Sequence, residues 1–255
     1  VRFLLLRGWI IRPGIETSSP ADAAERYRLD LADAGMEIQG KSILIFGYGG
    51  RFSLAIELLR LGAAHIILVD KFAPPDDAHN LGLLPLNEQY LKEEQGCVTP
   101  RPEWITLIEQ DILSEEVRSA ISQVDILLSS SVYEHLDEVE SITKSLATLT
   151  KPEGIQLHYV DLRDHYFKYP FEMLCYSENL WYGWLNPSSN HNRYRVWDYK
   201  KAFEQYFSDV NLIVTERDEA AFEVIRPRIR SEFMRGDLAE DSVTLIKVIA
   251  RQPKL

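Results

Sequence analysis

Residues 42–70 constrain the fold more than any other stretch of this chain. Two short apolar runs, SILIFG at 42–47 and HIILVD at 65–70, bracket RFSLAIELLRLG at 51–62. Continuous runs of branched residues predict strands buried on both faces, as in a parallel sheet. The segment between them carries helical spacing and stops at Gly62. A strand, a helix and a second strand within about 30 residues make one right-handed crossover, which few architectures accommodate. Gly47-Tyr48-Gly49-Gly50 joins the first strand to the helix. Without a Cβ there, the backbone can turn tightly and let a ligand approach the helix N-terminus.

The same rhythm continues along the chain. Apolar runs at 104–109 (WITLIE), 124–129 (VDILLS) and 155–161 (IQLHYVD) predict further parallel strands. A helical stretch from 134 to 149 separates the last two and ends before Lys151-Pro152-Glu153-Gly154. Two late runs, 210–215 and 243–250, are expected to close the sheet as an antiparallel pair. Residues 20–36 read as a helix, with Ser19 as N-cap, Pro20 at its first position and Gly35 at its stop. The expected fold is α/β: a doubly wound, Rossmann-like sheet, mostly parallel with an antiparallel closing strand. Residues 1–40 are expected to form an N-terminal helical segment packing on a domain of residues 41–255. Residues 166–199 break the rhythm, with eleven aromatics among 34 residues and the turn signal Asn186-Pro187-Ser188-Ser189-Asn190. They are expected to form a cap over the mouth of the site.

Composition narrows the function. A net charge of −11 repels phosphate backbones, so nucleic acid is not an expected partner. The short basic cluster Arg226, Arg228 and Arg230 is flanked by Glu223 and Glu232 and reads as a solvated face. Cys97 and Cys175 are too few for a disulfide framework or a structural zinc site, and a reducing, cytoplasmic setting fits. The apolar first eleven residues are interrupted by Arg2 and Arg7 and fall short of the roughly 20 needed to span a bilayer. No membrane association is expected.

Asp70 follows the glycine turn by about 20 residues, where a carboxylate can accept both ribose hydroxyls of an adenosine-containing ligand. Its competing role is a cap or turn residue. Asp111, after the third strand, is placed to accept from an adenine amino group, or to cap the helix beginning near Ser114. A nicotinamide dinucleotide would want glycine at position 52, which is Phe52. An adenylating enzyme of the ubiquitin-activating type shares the glycine turn and HIILVD, but again meets Phe52 and lacks paired cysteines for zinc.

From 41 to 165 the chain resembles the class I S-adenosylmethionine-dependent methyltransferases. ILIFGYGGRFSLAIELLRLGA resembles their glycine-rich first motif, and IILVDKF their second strand with its ribose-binding acid. IEQDIL is similar to the adenine-side motif, VDILLSSSVYEHLDEV to the fourth motif, and LTKPEGIQLHYVD to the turn into the fifth strand. The departures are Ile45, where the family usually has an acid, and Arg51, in place of a third glycine. The resemblance implies S-adenosylmethionine as cofactor, held by Gly47, Tyr48, Gly49, Gly50, Asp70, Lys71, Asp111, Ile112 and Ser129.

Methyl transfer from a sulfonium needs a positioned acceptor, exclusion of water and, for a high-pKa atom, a base. His165 is the first candidate base and His135 the second, with Asp161 beside them at the end of a predicted strand. Asp164, adjacent to His165, is a candidate partner for the imidazole or a polar turn residue. Arg193 and Arg195 could clamp an anionic group on the acceptor or pair with acids. Trp181, Tyr182 and Trp184 could stack on a sugar or ring, or form the core of the cap. The expectation is methyl transfer to an O or N atom of a small polar acceptor, such as a sugar or glycan-linked metabolite. The alternatives are an adenylating or nucleotide-binding Rossmann enzyme, and a non-catalytic binding protein on the methyltransferase fold.

Overall fold

The computed structural model describes residues 15–167, 169–186 and 190–254. The expectation for the first eleven residues and the Pro187-Ser188-Ser189 part of the turn lie outside them. Helix α1 (Pro20–Asp33) starts on its proline and buries Ala23, Ala24, Tyr27 and Leu31 along one face. It is shorter than expected because Gly35, at φ 75°, turns the chain after Asp33. Ser19 makes no capping bond to the helix backbone; its hydroxyl donates to Asp22 instead.

Strand β1 (Ser42–Phe46), helix α2 (Ser53–Arg60) and strand β2 (His65–Val69) form the expected crossover, with β1 and β2 parallel from Ser42↔His65 to Phe46↔Val69. A short helix α3 (Asp77–Leu83) and a hairpin of β3 (Leu91–Glu94) and β4 (Cys97–Pro100) follow. The hairpin escaped the sequence reading because its buried apolar residues, Leu91, Val98 and Pro100, are too few for a periodic signal. Next come β5 (Ile105–Ile108), α4 (Glu115–Ala120), β6 (Val124–Ser130), α5 (Val139–Thr148) and β7 (Thr150–Asp161). The Lys151–Gly154 stretch, expected as a turn, lies inside β7, whose pairing with β6 shifts register between Val124 and Ile126. Helix α6 (Val196–Tyr206), strand β8 (Phe207–Arg217), helix α7 (Glu219–Ile225) and strand β9 (Val243–Pro253) complete the chain.

The seven-stranded sheet has the order β5-β2-β1-β6-β7-β9-β8. Strand β9 inserts antiparallel between β7 and β8, confirming the antiparallel closing pair. Alternate residues of the parallel strands feed two separate cores. Ile43, Ile45, Ile66 and Leu68 pack toward α1 and α2, whereas Leu44, Phe46, Ile67 and Val69 pack toward α5 and α6. Ile45, which stands where the related motif has an acid, is therefore a core residue. No helix of the described residues is long and apolar enough to cross a membrane.

The aromatic segment has its own small core. Phe171, Met173, Leu174 and Trp181 pack against Phe222 of α7 and Ile229 beyond it. Its irregular backbone is made of short turns, including a wide helical turn at Trp181–Leu185. Trp181 is fully buried, so it belongs to the cap's interior rather than to a ligand surface.

Two glycines should respond oppositely to alanine. Gly50 has φ 83°, and a Cβ there would sit 2.4 Å from the carbonyl oxygen of Pro74. Gly82, inside α3, has open space. Chemical denaturation should show Gly50→Ala losing at least about 1–3 kcal/mol of stability, whereas Gly82→Ala gains or stays within about 1 kcal/mol.

Candidate active site

Parallel strands present their carboxyl ends along one edge, so the segments following β1, β2, β6 and β7 meet there. The turn after β1 is held by Gly47, whose N–H donates to Val69 O at 2.8 Å. Gly47 has φ 77°, and a Cβ on it would strike Val132 at 2.3 Å, so the segment after β6 can close on this turn only over a glycine. Gly49 is exposed with open space around it. The Gly50 carbonyl accepts from Asp76 N at 2.8 Å and from Asn80 Nδ2 at 3.0 Å. Asn80 Oδ1 in turn accepts from Phe52 N, and Arg51 pairs with Asp76 at 3.1 Å. Phe52 is fully buried, and Tyr48 stacks over it at 6.1 Å. Arg51, the departure from the related motif that lies in this turn, is thus accommodated by a clasp from α3.

Asp70 follows β2 and faces the turn. Its Oδ1 accepts from Phe72 N and Ala73 N at 2.8 and 2.9 Å, which orients the carboxylate. Its Oδ2 accepts from Gly49 N at 3.2 Å and has no other hydrogen-bond partner among the described residues. Lys71 bridges to Asp111 Oδ2 at 2.6 Å, and Asp111 Oδ1 accepts from Leu113 N. Burial would raise the Asp111 carboxyl, but the hydrogen bonds from Lys71 and Leu113 outweigh it and lower its pKa. Ser114 rather than Asp111 caps α4. The Ile112 side chain is buried in the core. Asp111 and Lys71 thus form a strut across the ends of β2 and β5.

Ser129 is buried beneath the rim, on the face covered by α5 and α6. A chain of hydrogen bonds sets its direction. Thr150 donates to Leu146 O and accepts from Gln156 Nε2, which turns Gln156 Oε1 toward His158 Nε2 at 2.9 Å. His158 therefore carries its proton on Nε2, and Ser129 donates to His158 Nδ1 at 2.7 Å. Burial holds the His158 pKa down to about 3.

The ends of β6 and β7 gather the titratable groups. His165 Nε2 lies 3.3 Å from Asp161 Oδ2, so the partner of His165 is Asp161 rather than its sequence neighbour Asp164. Asp164 is buried and accepts from Tyr166 N and Phe167 N as the turn residue that opens the cap. Arg163 forks onto both oxygens of Asp161, with its closest contact at 2.7 Å. Burial alone would raise the Asp161 carboxyl, but the hydrogen bonds from His165 and Arg163 hold it well below the usual range. Glu134 is fully buried nearby, and burial, reinforced by the charge of Asp161, pushes its pKa well up.

A third imidazole completes the group. His135, His165 and His191 are in mutual contact, with ring centres 5.3 Å (135–165), 5.4 Å (135–191) and 4.7 Å (165–191) apart. The segment carrying His191 is tied to the turn after β6. Asn192 Nδ2 donates to Tyr133 O and Leu136 O, Asn192 N to Glu134 O, and Asn190 Nδ2 to His135 O. The cap holds the other side, where Trp181 Nε1 and Asn186 Nδ2 both donate to His191 O. Sequence reading placed His135 and His165 near this edge but passed over Arg163, although it lies in the turn after β7 between Asp161 and Asp164, and over His191, which lies at no strand end and in no motif.

Arg193 and Arg195 are buried and bind backbone. Arg193 Nη1 donates to Tyr176 O at 2.6 Å, and Arg195 Nη2 to Asp241 O and Val243 O at 2.8 and 3.0 Å. They tie the cap to the sheet, and neither side chain forms an ion pair among the described residues. Tyr182 and Trp184 remain exposed on the cap, Trp184 by 80%. No group of described residues has the arrangement of a metal site.

Two buried neutral histidines give the fold a pH signature. His158 and His191 both have pKa values lowered to about 3 by burial, against an ordinary unfolded value near 6.5. Below about pH 6.5 the unfolded chain binds two protons that the folded chain refuses, so stability falls as pH drops toward 3. Urea unfolding between pH 6 and pH 4 should show a slope contribution of about 1.4 kcal/mol per pH unit for each histidine. His191→Asn should remove one of the two contributions.

No protein-family model matches the sequence, and no curated protein does. Solved structures do resemble the fold. A geranyl diphosphate methyltransferase in complex with S-adenosylmethionine aligns with a TM-score of 0.54 and 11% identity, covering 91% of this chain and 85% of that one. The geranyl diphosphate C-methyltransferase of Streptomyces coelicolor A3(2), with S-adenosylhomocysteine bound, gives 0.53 and 11%, covering 91% and 77%. Magnesium protoporphyrin IX methyltransferase of Synechocystis PCC 6803 gives 0.50 and 13%, covering 98% and 93%. Strand order, the inserted antiparallel strand and these likenesses together identify the fold of this chain as the Rossmann-like fold of the class I S-adenosylmethionine-dependent methyltransferases.

Proposed function

We propose that the chain transfers a methyl group from S-adenosylmethionine to an oxygen or nitrogen of a small polar acceptor. The observation that carries this reading is the pairing of Asp70 with the open turn at Gly49. Asp70 Oδ1 is spent on two backbone amides, whereas Oδ2 keeps acceptor capacity facing a residue with no side chain around it. Ribose hydroxyls need such an acceptor, and the cofactor's tail needs such a gap. The structurally similar methyltransferases with S-adenosylmethionine or S-adenosylhomocysteine bound support the same assignment.

The bound cofactor supplies an activated methyl electrophile. The chain's own part is to hold the acceptor, exclude water and take a proton. With Nε2–H directed at Asp161, His165 offers its Nδ1 lone pair as the base. Asp161 keeps its charge because Arg163 holds both of its oxygens, so it orients the imidazole and stabilises the imidazolium. His135 packs on His165 and braces it. The segment 166–199 serves as the lid, with Tyr182 and Trp184 as the aromatic surface for a sugar or other ring-bearing acceptor. Arg163 is paired with Asp161, and Arg193 and Arg195 hold backbone carbonyls, so these three are not free to grip an anion. A neutral acceptor fits this edge better than a phosphorylated one.

Calorimetry with S-adenosylmethionine, S-adenosylhomocysteine, NAD and ATP tests the cofactor directly. Binding of the first two and not the others is expected. Asp70→Asn, which keeps one carbonyl oxygen for the turn, should weaken S-adenosylmethionine binding at least tenfold. Equal affinity in wild type and variant would remove the ribose assignment. Preference for ATP or NAD would replace the reading with a nucleotide-binding one.

A further inference from the structure

We propose that Asn80 is a positioning residue for the cofactor turn: its amide holds the peptides on both sides of Arg51 and so fixes how the turn presents its backbone to a ligand. The proposal rests on the methyl-transfer reading only for the identity of that ligand. Asn80 lies in none of the motifs that carry the family resemblance, so the resemblance does not imply this role.

Asn80 sits on α3 and is 0% exposed. An amide so buried has to satisfy both of its ends. Its Nδ2 donates to Gly50 O at 3.0 Å, and its Oδ1 accepts from Phe52 N at 3.1 Å. The donor and the acceptor of one planar group thus meet an acceptor and a donor two residues apart on the turn. Asp76, one helical turn earlier, adds a second hold. Its N–H donates to Gly50 O at 2.8 Å, and its carboxylate pairs with Arg51 at 3.1 Å. Asn80 N donates to Asp76 O at 2.8 Å and closes the unit.

The direction of the turn follows from these bonds. A trans peptide is planar, with its N–H opposed to its C=O. Because the Gly50 C=O is drawn toward α3, the Arg51 N–H points away from that helix. Gly49 at φ 68° and Gly50 at φ 83° precede it, and Gly49 N donates to Asp70 Oδ2. Two successive glycines carry the greatest backbone freedom, so contacts from outside the turn have to set their orientation. Asn80 is the buried side chain that does so.

Asn80→Asp and Asn80→Leu test the role. The aspartate keeps an oxygen for Phe52 N but sets a second one against Gly50 O. That repulsion ends when the carboxyl is protonated and donates. The ionisable groups beside it are Arg51 of the turn and Asp76 and His79 of α3, with His79 Nε2 lying 2.8 Å from Ser53 Oγ. All three are present in wild type, so each variant is compared with wild type at the same pH. Calorimetry with S-adenosylhomocysteine should show Asn80→Asp weaker by about tenfold or more at pH 8.5, and within about threefold of wild type at pH 5.5. Asn80→Leu, which has neither hydrogen bond, should be weaker at both; where it does not fold, the aspartate variant carries the test. Ile155→Val, buried at the amino end of β7, should lower the melting temperature and leave the affinity unchanged, which separates positioning from stability.

Amide hydrogen exchange reads the turn on the chain alone, without cofactor. In Asn80→Asp at pH 8.5 the Phe52 and Asp76 amides should lose protection relative to wild type, while Leu44 and Ile45 of β1 keep theirs. At pH 5.5 the loss should reverse. Unchanged exchange at Phe52 and Asp76, equal affinity of Asn80→Asp and wild type at pH 8.5, or an affinity loss shared by Ile155→Val would overturn the proposal. A wild type that binds neither S-adenosylmethionine nor S-adenosylhomocysteine would remove the methyl-transfer reading and leave the exchange measurement to decide the role of Asn80.

Discussion

Everything at the site depends on five parallel strands being buried on both faces. Ile43, Leu44, Ile66, Ile67, Ile126 and Leu127 leave no room for polar chemistry within the sheet except where a full hydrogen-bond chain is supplied. The Ser129–His158–Gln156–Thr150 chain is that exception, and every member has its partner. Chemistry is therefore displaced to the carboxyl edge, where loops can reach water and a ligand. The fold does not choose the site's residues, but it leaves them one place to go.

At that edge the structure spends its cations on order. Arg51 pairs with Asp76, Lys71 with Asp111 and Arg163 with Asp161, while Arg193 and Arg195 hold carbonyls of the cap and the sheet. Charges neutralised in this way fix loops that are otherwise irregular. In the proposed reaction the acceptor would then meet His165 and the exposed rings of Tyr182 and Trp184. The cap is coupled to the rim by hydrogen bonds through His191 and Asn192, and the proposed base His165 packs against the His191 ring.

The histidines show how burial divides one residue type into different roles. His158 and His191 are kept neutral, one inside a complete relay and one with a lone pair still exposed to its neighbours' rings. His165 keeps a partly exposed side chain, 29% accessible, beside a permanent carboxylate. The same imidazole chemistry thus provides a hydrogen-bonded strut, a buried neutral ring and, in the proposed reaction, a base.

The sequence alone determined the crossover at 42–70, the parallel strands, the antiparallel closing pair and the acid following the glycine turn. Those features are local: a run of branched residues or a glycine signals its backbone whatever surrounds it. It also brought His135, Asp161 and His165 to one edge, because strand ends are legible from periodicity. Only the tertiary structure decided that His165 meets Asp161 instead of Asp164, that Trp181, Arg193 and Arg195 face inward, and that His191 joins the cluster from 26 positions beyond His165. Such pairings depend on how irregular loops fold back on one another, and a loop's path is set by long-range hydrogen bonds such as those of Asn192, which leave no period in the chain.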